Sequence, residues 1–326
     1  MDKHERLRAA LRREPVDRPP VALWRHFPVD DQRPEDLAAA TLEFQELCDW
    51  DLVKVTPASS YCLRDWGVED EWRGSPEGTR EYTRRVIAEP ADWTRLTPLD
   101  PRSGHLGAHL RALDLVREGL RGRAPFLGTI FSPLSQAKNL AGVDKLLSHL
   151  RQHPAQVKTG LRVVTETTLR FVREARLTGL AGLFYAMQLA SPQYITEQEY
   201  REFGEPLDRQ ILAEARGLEF NLLHLHGPQV MFDLARDYPA QIINWHDRES
   251  APNLAEGQRT FPGAVCGGLR QWETLVRGTP EQVRAEAQDA LRQTGGRGFI
   301  LGTGCVAPIV APRANLRAAR AAVEKE

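Results

Sequence analysis

Read from its amino terminus, the chain alternates between short apolar runs rich in β-branched residues and longer stretches with apolar residues at helical spacing. The strand-like runs are Val21–Phe27, Asp51–Pro57, Pro125–Phe131, Gly182–Gln188, Glu219–Gly227, Ile242–Asp247, Ala264–Leu269 and Gly298–Cys305. Continuous apolar runs of this length suit strands buried on both faces. Amphipathic helical stretches separate most of them. Ala38–Cys48, Glu197–Ala215 and Thr279–Gln293 show the pattern best, the last with Pro280 in its first turn. Strand–helix alternation repeated in this way predicts a single α/β domain over residues 1–326, a (β/α)8 TIM barrel.

A doubly wound open sheet is the competing architecture. It requires a glycine-rich turn after the first strand, and Trp24-Arg25-His26-Phe27-Pro28 is not one, so no nucleotide cofactor is expected. The longest connection, residues 58–124 between the second and third strands, reads as an insertion with extra helices or a small hairpin around Trp66–Tyr82 that roofs the site. Trp66, Trp72 and Tyr82 in it form either an aromatic lid or a satellite apolar cluster.

Catalytic groups in such barrels come from the C-terminal ends of the strands and the loops that follow. That rule selects Arg25 and His26, Lys54 and Thr56, Gln188, His224 and His226, His246 and Asp247, and Cys305. Side chains alternate along a strand, so His224 and His226 point to the same side. Together with Cys305, and with Asp247 as a further candidate, they offer nitrogen and sulfur donors that favour zinc with one coordination position left open. The alternative is that both histidines are hydrogen-bonded core residues and Cys305 is a small buried hydrophobe. The turns Gly267-Gly268 and Gly302-Thr303-Gly304 can offer backbone N–H groups to a phosphate, or simply make tight rim turns. Lys54, Gln188 and Gly268 are read as substrate contacts. His4, His105, His109, His149 and His153 lie in polar helical or loop sequence and are expected at the surface.

Composition narrows the function classes. The 326 residues are 41% hydrophobic and 27% charged with a net charge of −1, which gives no electrostatic case for nucleic acid or an anionic membrane. No run approaches a membrane-spanning length, and the polar start Met1–Arg6 has no signal-peptide character. Cys48, Cys62, Cys266 and Cys305 are too dispersed for a disulfide framework, so a cytoplasmic location is expected.

Two segments carry a family resemblance. The opening Glu5-Arg6-Leu7, Ala10–Glu14 and Pro15-Val16-Asp17-Arg18-Pro19-Pro20, and the closing Gly278-Thr279-Pro280-Glu281, Gly298–Cys305, Pro308, Pro312 and Asn315, resemble the uroporphyrinogen decarboxylase superfamily at both ends and in register. True decarboxylases carry Arg-Gln-Ala-Gly-Arg after the first strand, an Asp after the second and Gly-His-Gly after the eighth. Here Arg25 matches the first Arg only, Val55-Thr56-Pro57 lacks the Asp, and the last strand ends in Gly304-Cys305. The zinc-dependent methyltransferase branch is more similar, with His-x-Cys-Gly after the fifth strand and Gly-Cys after the eighth. This chain has His224-Leu225-His226-Gly227 and Gly304-Cys305, so His226 stands where that branch has Cys.

The resemblance implies zinc held by His224, His226 and Cys305, a thiol or similar small-molecule substrate, a corrinoid protein as partner and a homodimer. A related barrel, cobalamin-independent methionine synthase, adds a downstream carboxylate, a role open here to Asp247 or Glu249. Two alternatives stay open. One is a metal-free decarboxylase in which Arg25 holds a carboxylate and His26 or His224 protonates the carbanion. The other is a non-catalytic binder of tetrapyrroles or corrinoids.

Overall fold

In the computed structural model, which describes residues 1–324, the strands are β1 Val53–Val55, β2 Glu69–Glu71, β3 Glu81–Arg84, β4 Phe126–Phe131, β5 Gly182–Met187, β6 Leu222–Leu225, β7 Ile242–Asn244, β8 Ala264–Leu269 and β9 Phe299–Thr303. Seven of them form one sheet in the order β1-β4-β5-β6-β7-β8-β9, and every neighbouring pair is parallel. Their C-terminal ends therefore share one rim. Every residue of β4, β5 and β8 is buried, which is why these strands read as unbroken apolar runs.

The expected first strand, Val21–Phe27, is reduced to a single bridge from Val21 to Leu301 of β9. Ala22 N–H donates to Leu301 (2.9 Å), Leu301 N–H donates to Pro20 (2.9 Å), and Asp51 N–H, two residues ahead of β1, donates to the Val21 carbonyl (2.8 Å). Three features end the ladder. Pro19 and Pro20 have no N–H, the Val21 N–H donates to the Asp51 carboxylate, and the Trp24 carbonyl accepts from Ala307.

Asp51 is fully buried and receives Arg6 Nη1 (2.8 Å), Arg18 Nη1 (2.7 Å), Arg18 Nη2 (3.0 Å) and the Val21 N–H (2.8 Å). Arg6 also grips Asp17. The amino-terminal signature residues thus act as an ion-pair clasp that seats Pro20–Ala22 between β9 and the start of β1.

Helices fill the connections. In chain order the first are α1 Lys3–Leu11, α2 Pro34–Cys48, α3 Gly104–Leu120, α4 Pro133–Ala141, α5 Val143–Gln152 and α6 Pro154–Leu177. They are followed by α7 Glu197–Phe203, α8 Glu205–Glu214, α9 Phe232–Ala235, α10 Leu254–Thr260, α11 Pro280–Thr294 and α12 Arg313–Ala321. α11 begins as its sequence predicts, with Thr279 capping the Gln282 N–H, Gln282 returning to the Thr279 N–H, and Pro280 in the first turn. The stretch expected as one helix, Glu197–Ala215, breaks at Gly204. A Cβ there would lie 2.7 Å from Leu134 Cδ1, so the backbone approaches α4 closely, and Pro206 opens the next helix.

Between β1 and β4, β2 and β3 pair antiparallel, with Glu71 opposite Glu81. Trp66 and Tyr82 pack against the main core, while Trp72 donates to the Ser75 carbonyl at 3.1 Å. Two histidines expected at the surface are buried. His149 is 7% exposed and accepts from Trp93 Nε1. His109, 4% exposed, is wedged among Tyr61 and Phe171 with neither ring nitrogen hydrogen-bonded. The polar residues around them in sequence concealed helix faces that turn inward.

Candidate metal centre and its cavity

The C-terminal ends of β1, β4, β5, β6 and β9 surround a cavity of about 230 Å³. Its lining includes three side chains of a kind that can hold a metal ion, His224, His226 and Cys305. His224 lies on β6, and His226, two residues on, keeps the same side as the backbone leaves the strand toward Gly227 at φ +92°. Cys305 follows β9. Its position depends on Gly304, where a Cβ would come within 2.7 Å of His246 Cα. Thr303 Oγ1 then donates to the Cys305 carbonyl at 2.5 Å.

Cys305 Sγ lies 3.4 Å from His224 Nε2 and 3.5 Å from His226 Nδ1. All three donor atoms fall within 4.8 Å of one another. Burial holds the His224 imidazole well below its ordinary pKa, and the nearby His226 and His246 push the same way. Burial likewise lowers His226, to about 3. Both rings are neutral near pH 7 and keep a nitrogen lone pair. The Cys305 thiol is pushed up to about 11 by burial, against the pull of Lys54. Two neutral imidazoles and one sulfur, converging on open space, make a donor set that fits zinc with a free coordination position.

The pattern of the uroporphyrinogen decarboxylase (URO-D) family matches residues 2–326. The chain belongs to that family. Among its relatives, a methylated-thiol–coenzyme M methyltransferase of Methanosarcina mazei is 24% identical over 91% of this chain and 78% of its own length. The methylcobamide:CoM methyltransferase MtaA of Methanosarcina barkeri is 24% identical over 97% and 96%. A solved methyltransferase from Methanosarcina mazei superposes over 99% of this chain and 98% of its own, with TM-score 0.86 and 20% identity. A B12-independent methionine synthase from Shewanella sp. W3-18-1 follows at TM-score 0.63 and 13% identity, over 89% and 86%. These two likenesses show the fold.

In this URO-D family member the expected site residues divide into two groups. His26, Lys54, Gln188, His224, His226 and Cys305 all line the cavity. Lys54 is 7% exposed, and among the described residues no carboxylate lies within salt-bridge distance of it. Burial lowers its ammonium to about 7. His26 is lowered to about 3, chiefly by burial and then by Lys54. Gln188 Oε1 accepts from Lys138 Nζ at 2.8 Å.

Arg25, Asp247 and Gly268 are not brought to the cavity. Arg25 lies over the Phe27 and Phe44 rings, 5.2 and 4.9 Å from their centroids, on the opposite side of the segment from His26. Adjacent residues of an extended segment face opposite ways, so Arg25 and His26 cannot share one cavity. Asp247 Oδ1 accepts the Gly268 N–H at 3.1 Å, and its Oδ2 lies 3.9 Å from Arg248 Nε. Burial raises this carboxyl to about 6. His246 stands beside His226, ring centroids 5.8 Å apart, with Nδ1 3.6 Å from Glu249.

Among the residues that escaped the sequence reading are Lys138, which lines the cavity, and Asn244, which touches His224. Lys138 lies in α4, where nothing in the helical pattern distinguishes it from a solvated lysine. Burial lowers its ammonium to about 8. Asn244, fully buried on β7, presents its Oδ1 as an acceptor to His224 Nδ1 at 2.6 Å. A polar residue inside Ile242-Ile243-Asn244-Trp245 was the available signal.

Proposed function

We propose that the chain is a zinc-dependent, methyltransferase-like group-transfer enzyme that activates a thiol or similar nucleophile. The convergence of His224 Nε2, His226 Nδ1 and Cys305 Sγ at the cavity floor carries this reading. The relatives named as methyltransferases support it. His224, His226 and Cys305 would hold the metal. Zinc, when bound, lowers the pKa of a coordinated thiol and keeps it as a thiolate at neutral pH.

The remaining chemistry belongs to side chains. Lys54 offers an uncompensated cation beside the donor set, and Lys138 with Gln188 offers a second polar contact for a small-molecule substrate. Phe184 and Trp24 supply apolar wall that limits water around the nucleophile. A corrinoid protein is the proposed methyl donor, and a cytoplasmic homodimer the proposed working form. No helix of the described residues is long and apolar enough to cross a membrane. We also read the fold as one closed (β/α)8 barrel over residues 1–326. The hydrogen bonds from Pro20–Ala22 to Leu301 and to Asp51 support it as the closing stave, with residues 58–124 inserted above the rim.

Elemental analysis of the purified protein tests the proposal. About one zinc per chain, lost in His224→Ala and in Cys305→Ala together with thiol methylation, is the expected result. Methylation that persists in metal-free protein would overturn it.

A further inference from the structure

We infer that Asn244 is a positioning residue that decides which nitrogen of His224 is presented to a metal. The inference rests on the metal-centre reading above and goes beyond it to how the ligand is held.

Register places the residues concerned side by side. His224 of β6 pairs with Asn244 of β7, and Asn244 pairs with Cys266 of β8. Asn244 is fully buried. Its Nδ2 donates to the Cys266 carbonyl at 2.8 Å and to the Thr303 carbonyl at 2.9 Å. Carbonyl oxygens only accept, so the face of the amide turned toward β8 and β9 must be the NH2 group. Rotating the amide by half a turn would set an oxygen against two carbonyls and leave a buried NH2 facing the imidazole. The Oδ1 atom is therefore the one at 2.6 Å from His224 Nδ1, and it can only accept. Nδ1 must carry the hydrogen. The lone pair is then on Nε2, the nitrogen 3.4 Å from Cys305 Sγ.

His226 is built differently. It turns Nδ1 toward Cys305, and among the described residues neither of its ring nitrogens has another hydrogen-bond partner. One imidazole is thus locked through three adjacent strands, and the other is free to adjust. The same amide also ties the height of the Cys305 turn to the centre, because Thr303, whose carbonyl it holds, lies two residues before Cys305. Fixing the tautomer beforehand removes the competing Nε2–H form, which cannot bind a metal through that atom.

Two measurements test this. The first is 15N NMR of histidine-labelled, metal-free protein. Wild type should show His224 as the Nδ1–H tautomer, and Asn244→Ala should show a mixture or the Nε2–H form. An Nε2–H tautomer in wild type would overturn the inference, with or without any metal binding. The second is zinc affinity by competition with a chromophoric chelator. Asn244→Ala should bind on the order of 10–100-fold more weakly. Asn244→Asp, which keeps an acceptor for Nδ1–H while losing both amide donations, should recover most of that loss while its Tm remains lowered. A merely structural asparagine would lower Tm in both variants and leave their folded-state zinc affinities equal. That outcome would also overturn the inference. If wild type binds no zinc while the NMR shows the Nδ1–H form lost in Asn244→Ala, the metal-centre reading fails and the positioning role stands.

Discussion

Lys54 places its ammonium nitrogen 4.2 Å from the centroid of the Phe184 ring, and that ring lies 5.2 Å from the imidazole of His224. A cation, an aromatic face and a candidate donor histidine are thus stacked from β1 through β5 to β6. With only the Phe184 face and, at 6.0 Å, the Trp24 ring as partners, the lysine remains largely uncompensated in a desolvated site. An anionic group on a substrate is the natural complement. Lys54→Met should raise KM for an anionic acceptor about tenfold or more, the loss of one charge-assisted contact, with a smaller effect on kcat. Steady-state kinetics with a charged and a neutral acceptor separates the two: an equal KM change for both would exclude the role.

The same residue predicts a pH dependence of stability. Burial lowers the Lys54 pKa from its ordinary range to about 7. Between about pH 7 and the unfolded value the unfolded chain binds more protons than the folded one, so this group makes stability rise with pH across that window. At and below pH 7 the full desolvation penalty is present. Lys54→Met should therefore stabilise the fold at pH 6, by about 1–3 kcal/mol for relief of a buried charge, and this advantage should vanish toward pH 10.5. Urea melts of both proteins at three pH values measure the difference. An advantage that is constant with pH would point to packing instead.

The barrel-like alternation was legible because parallel strands covered on both faces leave continuous apolar runs, as in Phe126–Phe131 and Ala264–Leu269. The convergence of His224, His226 and Cys305 was legible for a similar reason: spacing of two on a strand fixes a common side for His224 and His226. Arg25 shows the limit of the same rule. Its neighbour His26 has the cavity side, which sends Arg25 to the Phe27–Phe44 side, and parity alone could not say which of the two faces inward. Asn244 depends on register between strands twenty residues apart, and Lys138 on the rotation of a helix. Neither quantity is written in local sequence. Val21–Phe27 misled because its composition suits a strand, while its hydrogen bonds are claimed by Asp51 and Ala307.

The Asp51 clasp predicts a large stability effect far from the cavity. Asp51→Ala leaves Arg6 and Arg18, both mostly buried, without their shared partner, and removes the acceptor of the Val21 N–H. Stranding buried charge in this way costs about 3–5 kcal/mol. Chemical denaturation should show a loss of that size with little change in zinc affinity of the remaining folded protein. A loss under 1 kcal/mol would mean the two guanidinium groups find water readily, and that the clasp does not hold the Pro20–Ala22 segment.

His226→Cys separates metal retention from metal tuning. A second thiolate would keep three protein ligands and add a negative charge at the centre, making a coordinated substrate thiolate more basic and more nucleophilic. The variant should retain about one zinc per chain, while the pH at which a bound thiol ionises moves upward. Sulfur K-edge or cobalt-substituted optical spectra would register the second thiolate directly. Loss of the metal in this variant would show that the site requires an imidazole at His226, contrary to the donor geometry around Cys305.

His109 provides the last test, one in which removing a polar group should help. Its ring is stacked 12° from parallel with Phe171, near Tyr61, and neither nitrogen has a hydrogen-bond partner. Burial lowers its pKa to about 3. Between the unfolded value near 6.5 and that folded value, the unfolded chain binds the extra proton, so wild-type stability falls as the pH drops through this window. Phenylalanine keeps the stack without leaving buried polar atoms unsatisfied, which is worth about 1–3 kcal/mol. His109→Phe should be more stable than wild type at pH 7 and should widen its lead toward pH 4. His26 and His226 carry the same acid sensitivity, so the variant lessens the acid destabilisation and does not abolish it. Thermal melts at pH 4, 5.5 and 7 decide the matter. A lower Tm at every pH would mean that the larger ring overpacks the site, or that a buried water serves the imidazole.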